Sequence, residues 1–374
     1  MQRVVLTTGG TGGHIFPALA LAEELKRRHP DCDVLFVGGR HGREKEFAQR
    51  AGLRFLGLPV RGVIGRGFRS VGALFGLGVA VLRSWWLMLR FRPQVVVGFG
   101  GYAGFAPVLA ARMSGIPCAV HEQNSYPGST NRLLGRWVNR VFMSFPDTHG
   151  FFAASKVQLT GNPVRTALVH QGQERTARNA DSPGKRLLIV GGSQGAHAIN
   201  QAVTGALQGL RAKGFELWHQ TGETDLIDVR AVYEQAGWQD DTARVEAFIH
   251  DMAEAYAWAD VVLCRAGATT VAELTVVGKP SVLIPFPQAA HDHQQANARY
   301  LEQAGAAVIL MQDQLHKIDL ADSLHKIFEA PERVARMGEA ARSLGQPDAA
   351  ARLADAIEKM ALSDSGNLNR HGTQ

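Results

Sequence analysis

VVLTTGGTGGHIFPALALAEELKRR (residues 4–28) decides how the whole chain is read. An apolar run enters glycines at 9, 10, 12 and 13, and Pro17, Leu19, Leu21, Ala22 and Leu25 then follow at helical spacing. The same order of strand, glycine loop and helix returns in PQVVVGFGGYAGFAPVLAARMSG (93–115), KRLLIVGGSQGAHAINQAVTGALQGL (185–210) and DVVLCRAGATTVAELTVVG (260–278). Short uninterrupted apolar strands alternating with helices mark parallel strands buried on both faces in βαβ units. Residues 185–210 open as residues 1–25 do, so the pattern predicts two doubly wound α/β sheets, one in each half. The polar stretch 171–185 reads as loop or linker, and the boundary is placed near Gly161–Val164. The expected domains are 1–163 and 164–346. A last helix is expected over 347–361 and a polar, disordered tail over 362–374.

The 374 residues are 45% hydrophobic and 20% charged, which excludes a disordered or collagen-like chain and suits two cores. The net charge of +6 is not spread evenly. From Phe47 to His121 there is no Asp or Glu, yet there are nine Arg; the rest of the chain holds 31 basic against 34 acidic residues. Cys32, Cys118 and Cys264 are scattered and odd in number, against a disulfide framework or structural zinc. No signal-peptide core opens the chain, and the longest uncharged apolar run, 70–82, is too short to span a bilayer.

A glycine loop at a strand's end lets backbone N–H groups approach oxygens closely, with the positive end of the next helix behind them. GGTGGH is neither a P-loop nor GxGxxG, and Gly38-Gly39-Arg40 stands where a ribose-binding acid belongs; this argues against NAD and ATP. One such loop reads equally well as a tight turn without ligand. Two of them opening two sheets, the second carrying Ser193, favour a ligand. In CRAGATTVAEL (264–274), Glu273 could accept from a ribose diol or simply stabilise the N-terminal part of a helix. Gln294, Gln295 and Asn297 could read sugar hydroxyls or form helix surface.

Seven blocks together, GGTGGH (9–14), GFGGY (98–102), HEQN (121–124), GNPVR (161–165), GGSQGA (191–196), CRAGATTVAE (264–273) and DHQQANA (292–298), resemble the MurG family of UDP-N-acetylglucosamine transferases, in that family's order. The resemblance implies a GT-B fold, two Rossmann-like domains facing across a cleft. The implied reaction is inverting transfer of GlcNAc from UDP-GlcNAc to the C4 hydroxyl of MurNAc in lipid I, giving lipid II and UDP in peptidoglycan synthesis. By the same resemblance Arg165 and Ser193 meet the diphosphate, Ile249 the uracil, and Ala268, Thr269, Thr270, Val271 and Ala272 the phosphates and sugar. Glu273 would take the ribose, Gln294 and Gln295 the GlcNAc, and Asn124 the donor sugar. Thr11, Gly12 and Gly13, with Gly100, Gly101 and Tyr102, would cradle the acceptor. Ala266 and Thr269 depart from the loop form RSGALT associated with the family, which puts a side-chain role for Thr269 in question.

Such a transfer needs a base for the hydroxyl and stabilisation of the departing diphosphate. His14, closing the first glycine loop, is the leading base candidate, because imidazole can accept a proton at neutral pH. Glu122 is the rival; it could instead orient a histidine or anchor its loop. No metal or organic cofactor is expected, since the one DxD, Asp31-Cys32-Asp33, reads as a polar turn.

GRGFRSVGALFGLGVAVLRSWWLMLRFR (65–92) places Leu74, Leu77, Val81, Trp85 and Met88 on one helical face. A crossover helix explains that stripe. Phe68, Phe75 and Trp86 lie outside it among Arg69, Arg83 and Arg90, and Gly72, Gly76 and Gly78 suggest a loop-and-helix patch. Phe68, Arg69, Phe75, Trp85 and Trp86 form the candidate contact with an anionic membrane surface, at the cytoplasmic face and without spanning. Nucleic acid is not expected; other cell-wall synthesis proteins are possible partners. Two further readings stand beside the transferase: a UDP-GlcNAc 2-epimerase of similar shape, and a non-catalytic membrane-bound nucleotide-sugar binder.

Overall fold

The computed structural model describes residues 1–40, 42–60, 70–175, 184–192, 195–289 and 292–368. The chain forms two compact units, Met1–Thr166 with Pro347–Gln374, and Ala167–Gln346.

In the first unit the elements run β1 (Arg3–Thr7), α1 (Gly12–Arg28), β2 (Asp33–Gly39), α2 (Glu44–Arg50), β3 (Arg54–Leu58), α3 (Ser70–Phe91), β4 (Val95–Gly98), α4 (Phe105–Met113), β5 (Cys118–Glu122), α5 (Ser129–Leu134), β6 (Arg140–Met143) and β7 (Val157–Leu159). Seven parallel strands pair in the order β3-β2-β1-β4-β5-β6-β7. The register sets Leu6 beside Phe36 on one side and Val97 on the other. The central strands are buried almost throughout, which is why they read as unbroken apolar runs rather than alternating ones. The order reverses between β1 and β4, so the helices that follow those two strands cover opposite faces of the sheet. Such a reversal is the crevice where open α/β sheets bind ligands.

Helix α6 (Thr166–Arg175) begins at the boundary, and the second unit continues with β8 (Arg186–Val190), α7 (His197–Ala212), β9 (Glu216–Gln220), α8 (Leu226–Gln235), β10 (Ala243–Glu246), α9 (Met252–Trp258), β11 (Val261–Cys264), α10 (Ala268–Val277), β12 (Ser281–Leu283), α11 (His293–Gln303), β13 (Ala307–Ile309), α12 (Leu320–Phe328) and α13 (Pro331–Ser343). Its six parallel strands follow β10-β9-β8-β11-β12-β13, with the reversal between β8 and β11. Leu187, Ile189, Ile199, Val203, Leu217 and Leu263 are core residues on one face of this sheet.

The last helix, α14 (Ala349–Leu368), packs on α1 of the first unit. Arg28 ties them together, its Nη1 at 2.5 Å from Asp355 Oδ1 and its Nη2 donating to Ala351 O at 3.0 Å. Arg352 Nε donates to Thr160 O at 3.2 Å.

Four expectations need correction. The first unit extends to Thr166 rather than ending at 163; Arg165 lies over the Phe16 ring of α1 at 4.8 Å, which fastens it there. The final helix runs on to Leu368 instead of giving way to a disordered tail at 362, because a helix already nucleated and docked extends at little cost through Ser and Asp; residues 369–374 lie outside the described residues. Helix α3 is continuous through Gly72, Gly76 and Gly78 rather than broken into loop and helix, and at Gly76 a β-carbon would come within 3.3 Å of Pro59 O. Its buried side is also displaced. Ala80, Ser84, Leu87 and Met88 face inward, whereas Trp85 is 43% exposed. Small residues at 80 and 84 let α3 approach the alanine-rich α4, and an indole at 85 does not fit that seam.

Candidate active site

The loops after β1 and β4 lock together at the reversal. Gly9 N–H donates to Gly100 O at 3.1 Å, and Phe99 N–H to Thr7 O at 2.8 Å. Gly101 has φ +73°, and a β-carbon there would overlap the Gly9 carbonyl, so only glycine fits. A β-carbon on Gly9 would sit 2.8 Å from Ala103. Gly10 N–H is held by the buried Glu44 carboxylate at 3.0 Å. Thr11 occupies the N-cap position of α1, and Gly12 and Gly13 form its first turn, which contains no acid. The positive end of α1 therefore meets no carboxylate in its own first turn. Gly100, Gly101 and Tyr102 border the same place, with Tyr102 half-buried at the start of a single helical turn, Tyr102–Gly104.

His14 stands one residue further along α1, its ring against Gly100, where a β-carbon would lie 3.3 Å from His14 Cε1. Its Nδ1 is 2.7 Å from Gln123 Oε1. Gln123 is buried, and its Nε2 donates both to His121 Nδ1 and to His121 O, each at 3.0 Å. His121 Nε2 donates to Gly161 O at 2.9 Å. Burial lowers the His121 pKa to about 4, partly opposed by the Gly161 hydrogen bond, so this ring is neutral at neutral pH.

Glu122 is placed differently from a base. It is 1% exposed, and its two oxygens accept four N–H groups. Oε1 takes Asn124 N–H at 3.0 Å and Asn124 Nδ2 at 3.2 Å; Oε2 takes Gly128 N–H at 3.0 Å and Asn131 Nδ2 at 2.9 Å. Of the three roles read from sequence, these four contacts match the anchor of the HEQN loop. With four N–H groups on its two oxygens, the carboxylate ties Asn124, Gly128 and Asn131 together. Asn124 is half-buried and oriented by this carboxylate.

In the second unit the corresponding loops carry amide clamps. Gln220 is 2% exposed; its Nε2 donates to Gly192 O at 2.8 Å and its Oε1 accepts Ile249 N–H at 3.0 Å. One side chain thus joins the glycine loop to the segment bearing Ile249, and occupies that residue's amide. Asn200, also buried, donates to Thr221 O at 2.9 Å and Asp225 Oδ2 at 2.7 Å and accepts His219 Nε2 at 3.0 Å. Ser193 lies outside the described residues. Gly195 has φ +78° and its missing side chain makes room for the Thr221 carbonyl.

Helix α10 opens at Ala268 with no acid in its first turn. Ala268, Thr269 and Val271 are buried, while Thr270 and Ala272 are half-buried. Glu273 is buried and accepts the Tyr256 hydroxyl at 3.1 Å. Gln294 Oε1 accepts Phe286 N–H at 3.0 Å, which sets the amide's direction. Gln295 is half-buried, with its Nε2 3.9 Å from Met311 Sδ. Asn297, weighed above as a sugar reader, is fully buried and donates to Ala266 O at 3.1 Å, so it braces the α10 loop from behind.

On α3, Leu82, Trp85, Trp86 and Leu89 are 66, 43, 62 and 51% exposed. Arg90 lies over the Trp86 ring at 5.8 Å. Phe68 and Arg69 fall outside the described residues, as does the Phe75 side chain. Among the described residues no helix is long and apolar enough to cross a membrane.

The residues that composition and motif did not single out are Gln123, Gln220, Asn200, Asn131 and Glu44. All are buried polar side chains that bond loops to one another. Their type gives little away, since each needs a partner distant in sequence.

Comparison with known proteins places this arrangement. Residues 4–143 match the model of the glycosyltransferase family 28 N-terminal domain and residues 186–353 that of its C-terminal domain. A curated relative from Nitratidesulfovibrio vulgaris (strain DP4) is 55% identical over 360 residues, 96% of this chain and 98% of that protein. It is named UDP-N-acetylglucosamine–N-acetylmuramyl-(pentapeptide) pyrophosphoryl-undecaprenol N-acetylglucosamine transferase. The crystal structure of Acinetobacter baumannii MurG matches with a TM-score of 0.71 and 32% identity, covering 96% of this chain and all of that one. A Neisseria meningitidis UDP-GlcNAc 2-epimerase bound to UDP-GlcNAc matches with a TM-score of 0.65 at 14% identity, over 96% of this chain and all of that one; this shows the fold alone. With both of its domains matched and more than half of its residues shared with such a relative along nearly its whole length, the chain belongs to the MurG family of glycosyltransferase family 28.

Proposed function

We propose that the protein transfers GlcNAc from UDP-GlcNAc to the C4 hydroxyl of MurNAc in lipid I, with inversion, releasing UDP. The observation that carries this reading is the 55% identity over 96% of the chain to a relative named for that reaction. It is supported by a histidine held in place at the mouth of the first glycine loop. The first unit takes the acceptor. The α1 N-terminus, Thr11, Gly12, Gly13, Gly100, Gly101 and Tyr102 receive its diphosphate, whose charge suits backbone N–H groups and a helix start free of acids. The second unit takes the donor: Ile249 and Glu273 the uridine, Ser193, Ala268, Thr269 and Thr270 the phosphates, and Gln294 and Gln295 the sugar, with Val271 and Ala272 backing the loop.

His14 accepts the hydroxyl proton as the C4 oxygen attacks the anomeric carbon. The C1–O bond to UDP breaks with its electron pair moving to the β-phosphate. Asp33, part of the one DxD, pairs with Arg54 at 2.6 Å, which leaves this acid a structural role and makes chelator-resistant turnover the expected behaviour.

The exposed aromatic and aliphatic side chains of α3, flanked by Arg83 and Arg90, suit a peripheral dock on an anionic membrane, where the polyprenyl-linked acceptor resides. Replacing Trp85, Trp86 and Arg90 together by Ser is expected to reduce co-sedimentation with vesicles containing anionic lipid; unchanged sedimentation removes the docking role from α3. The main test is incubation with UDP-GlcNAc and a lipid I analogue. Disaccharide-linked lipid and UDP support the transferase. A 2-epimer of the sugar nucleotide points to an epimerase, and binding without turnover to a sugar-nucleotide binder.

A further inference from the structure

The buried chain from Gly161 to His14 has a direction, and its direction is dictated at one end by a carbonyl. Gly161 O can only accept, so His121 Nε2 must carry a proton. His121 is neutral, with burial holding its pKa at about 4, so its Nδ1 is the lone pair. That lone pair faces Gln123 Nε2 at 3.0 Å and receives an N–H from it. The orientation of the Gln123 amide is fixed a second time, independently. The same nitrogen lies 3.0 Å from His121 O, a contact that is a hydrogen bond with nitrogen there and a repulsion with oxygen. Gln123 therefore turns its Oε1 to His14, at 2.7 Å from Nδ1. An amide oxygen is an acceptor only, so His14 Nδ1 must carry the ring's proton.

We propose that Gln123 is a positioning residue that holds His14 in the Nδ1–H tautomer and so presents Nε2 as the proton-accepting lone pair. The free imidazole side chain favours the opposite tautomer, with its proton on Nε2, which would put a donor where a base is needed. The relay of Gly161, His121 and Gln123 reverses that preference with neutral groups. During transfer the acceptor's O–H bond breaks and an Nε2–H bond forms. The Nδ1–H···O=C bond to Gln123 persists, shortened by the new positive charge on the ring. This inference rests on the reading of His14 as base in the proposed transferase, and it adds how that base is made competent. It also explains why the HEQN block carries Gln at 123: both ends of the amide are used, and a carboxylate or an aliphatic side chain supplies only one or neither.

The test uses the full-length protein labelled with 15N-histidine. Long-range 1H–15N correlation spectra identify the protonated nitrogen of each ring, with His14 and His121 assigned by comparison with His14→Ala and His121→Gln. The expected wild-type result is His14 with its proton on Nδ1 and His121 with its proton on Nε2. In Gln123→Leu, His14 is expected to shift toward the Nε2–H form. Its kcat should fall about ten- to hundredfold, part of the usual contribution of a general base, with KM for UDP-GlcNAc unchanged. Wild-type His14 protonated on Nε2 overturns the relay without any variant having to fold. A Gln123→Leu protein that changes tautomer but keeps its kcat overturns the positioning role. His14→Ala then separates the two ideas. If it also keeps its kcat, the base reading has failed; if it loses activity while Gln123→Leu does not, only the relay has failed.

Discussion

The two glycine loops that open the two sheets start from the same local pattern and end against different hydrogen-bond partners. After β1 the loop closes on His14, whose ring is held at Nδ1 by a chain of buried neutral groups. After β8 the residue at the start of α7 is also a histidine, His197, but its Nδ1 lies 2.9 Å from Asp225 Oδ2. The partner is a carboxylate in the second unit and an amide oxygen, which can only accept, in the first. Gln220 holds the second unit's loop at Gly192, and Asn200 joins the end of β9 at Thr221 to Asp225. One strand–loop–helix unit can thus set its histidine against an amide or against a carboxylate, and the difference lies in the partner that the sheet supplies to the loop.

The sharpest way to break this comparison is His14→Ala. Loss of a general base is expected to lower kcat by about a hundred- to ten-thousandfold, with little change in KM for UDP-GlcNAc; His197→Ala should leave kcat within a few-fold. Equal losses in both variants would dissolve the distinction. Next comes Gly101→Ala. A β-carbon overlapping the Gly9 carbonyl, at a residue with φ +73°, is expected to lower unfolding free energy by about 3 kcal/mol, read from urea denaturation. A stability equal to wild type would show that the two loops of the first unit are not interlocked.

Gln220→Leu sharpens the other side. It removes the clamp between Gly192 and Ile249 and leaves both backbone groups to find other partners. KM for UDP-GlcNAc is expected to rise about tenfold, roughly 1.4 kcal/mol, at nearly constant kcat. A fall in kcat alone would assign the second loop a catalytic role.

The smallest effect concerns acidity and shows what the two units share. His121 and His219 are fully buried and neutral, their pKa values lowered by burial to about 4 and about 3 from 6.5. Below about pH 6.5 the unfolded chain takes up a proton at each position and the folded chain does not, so acidification favours unfolding. Stability is therefore complete above pH 6.5 and declines as the pH falls towards 4. At pH 5.5 each histidine should cost about 1 kcal/mol relative to pH 7.5, visible as lower denaturation midpoints. A pH-independent midpoint over that range would mean that neither ring is held neutral.

Particular residues show how far reading the sequence reached. Strands such as VVLT and LLIV were legible because residues buried on both faces leave a continuous apolar run, a signal contained within a few positions. The glycine loops were legible for the same reason. His14 could be singled out by type and position alone. Glu122 could not be resolved between base and anchor, because the deciding facts are donors contributed by Asn124, Gly128 and Asn131, which converge only after β5 and α5 are in place. Trp85 was assigned to the inner face of α3 by spacing, yet the small side chains at 80 and 84 decide which side fits against α4. Asn297 looked like a sugar reader and is an internal brace, since its partner Ala266 belongs to another strand's loop.

The sequence by itself determined the two α/β sheets, the loops at which ligands can be met and the family to which those loops belong, because periodicity, glycine and short motifs act over a turn or a strand. Only the tertiary structure decided which nitrogen of His14 the proposed relay leaves to take a proton. That choice is set by a carbonyl at Gly161 and transmitted through two side chains more than a hundred residues from His14 along the chain. Hydrogen-bond direction is a property of neighbours in space, and no local pattern of residues encodes it.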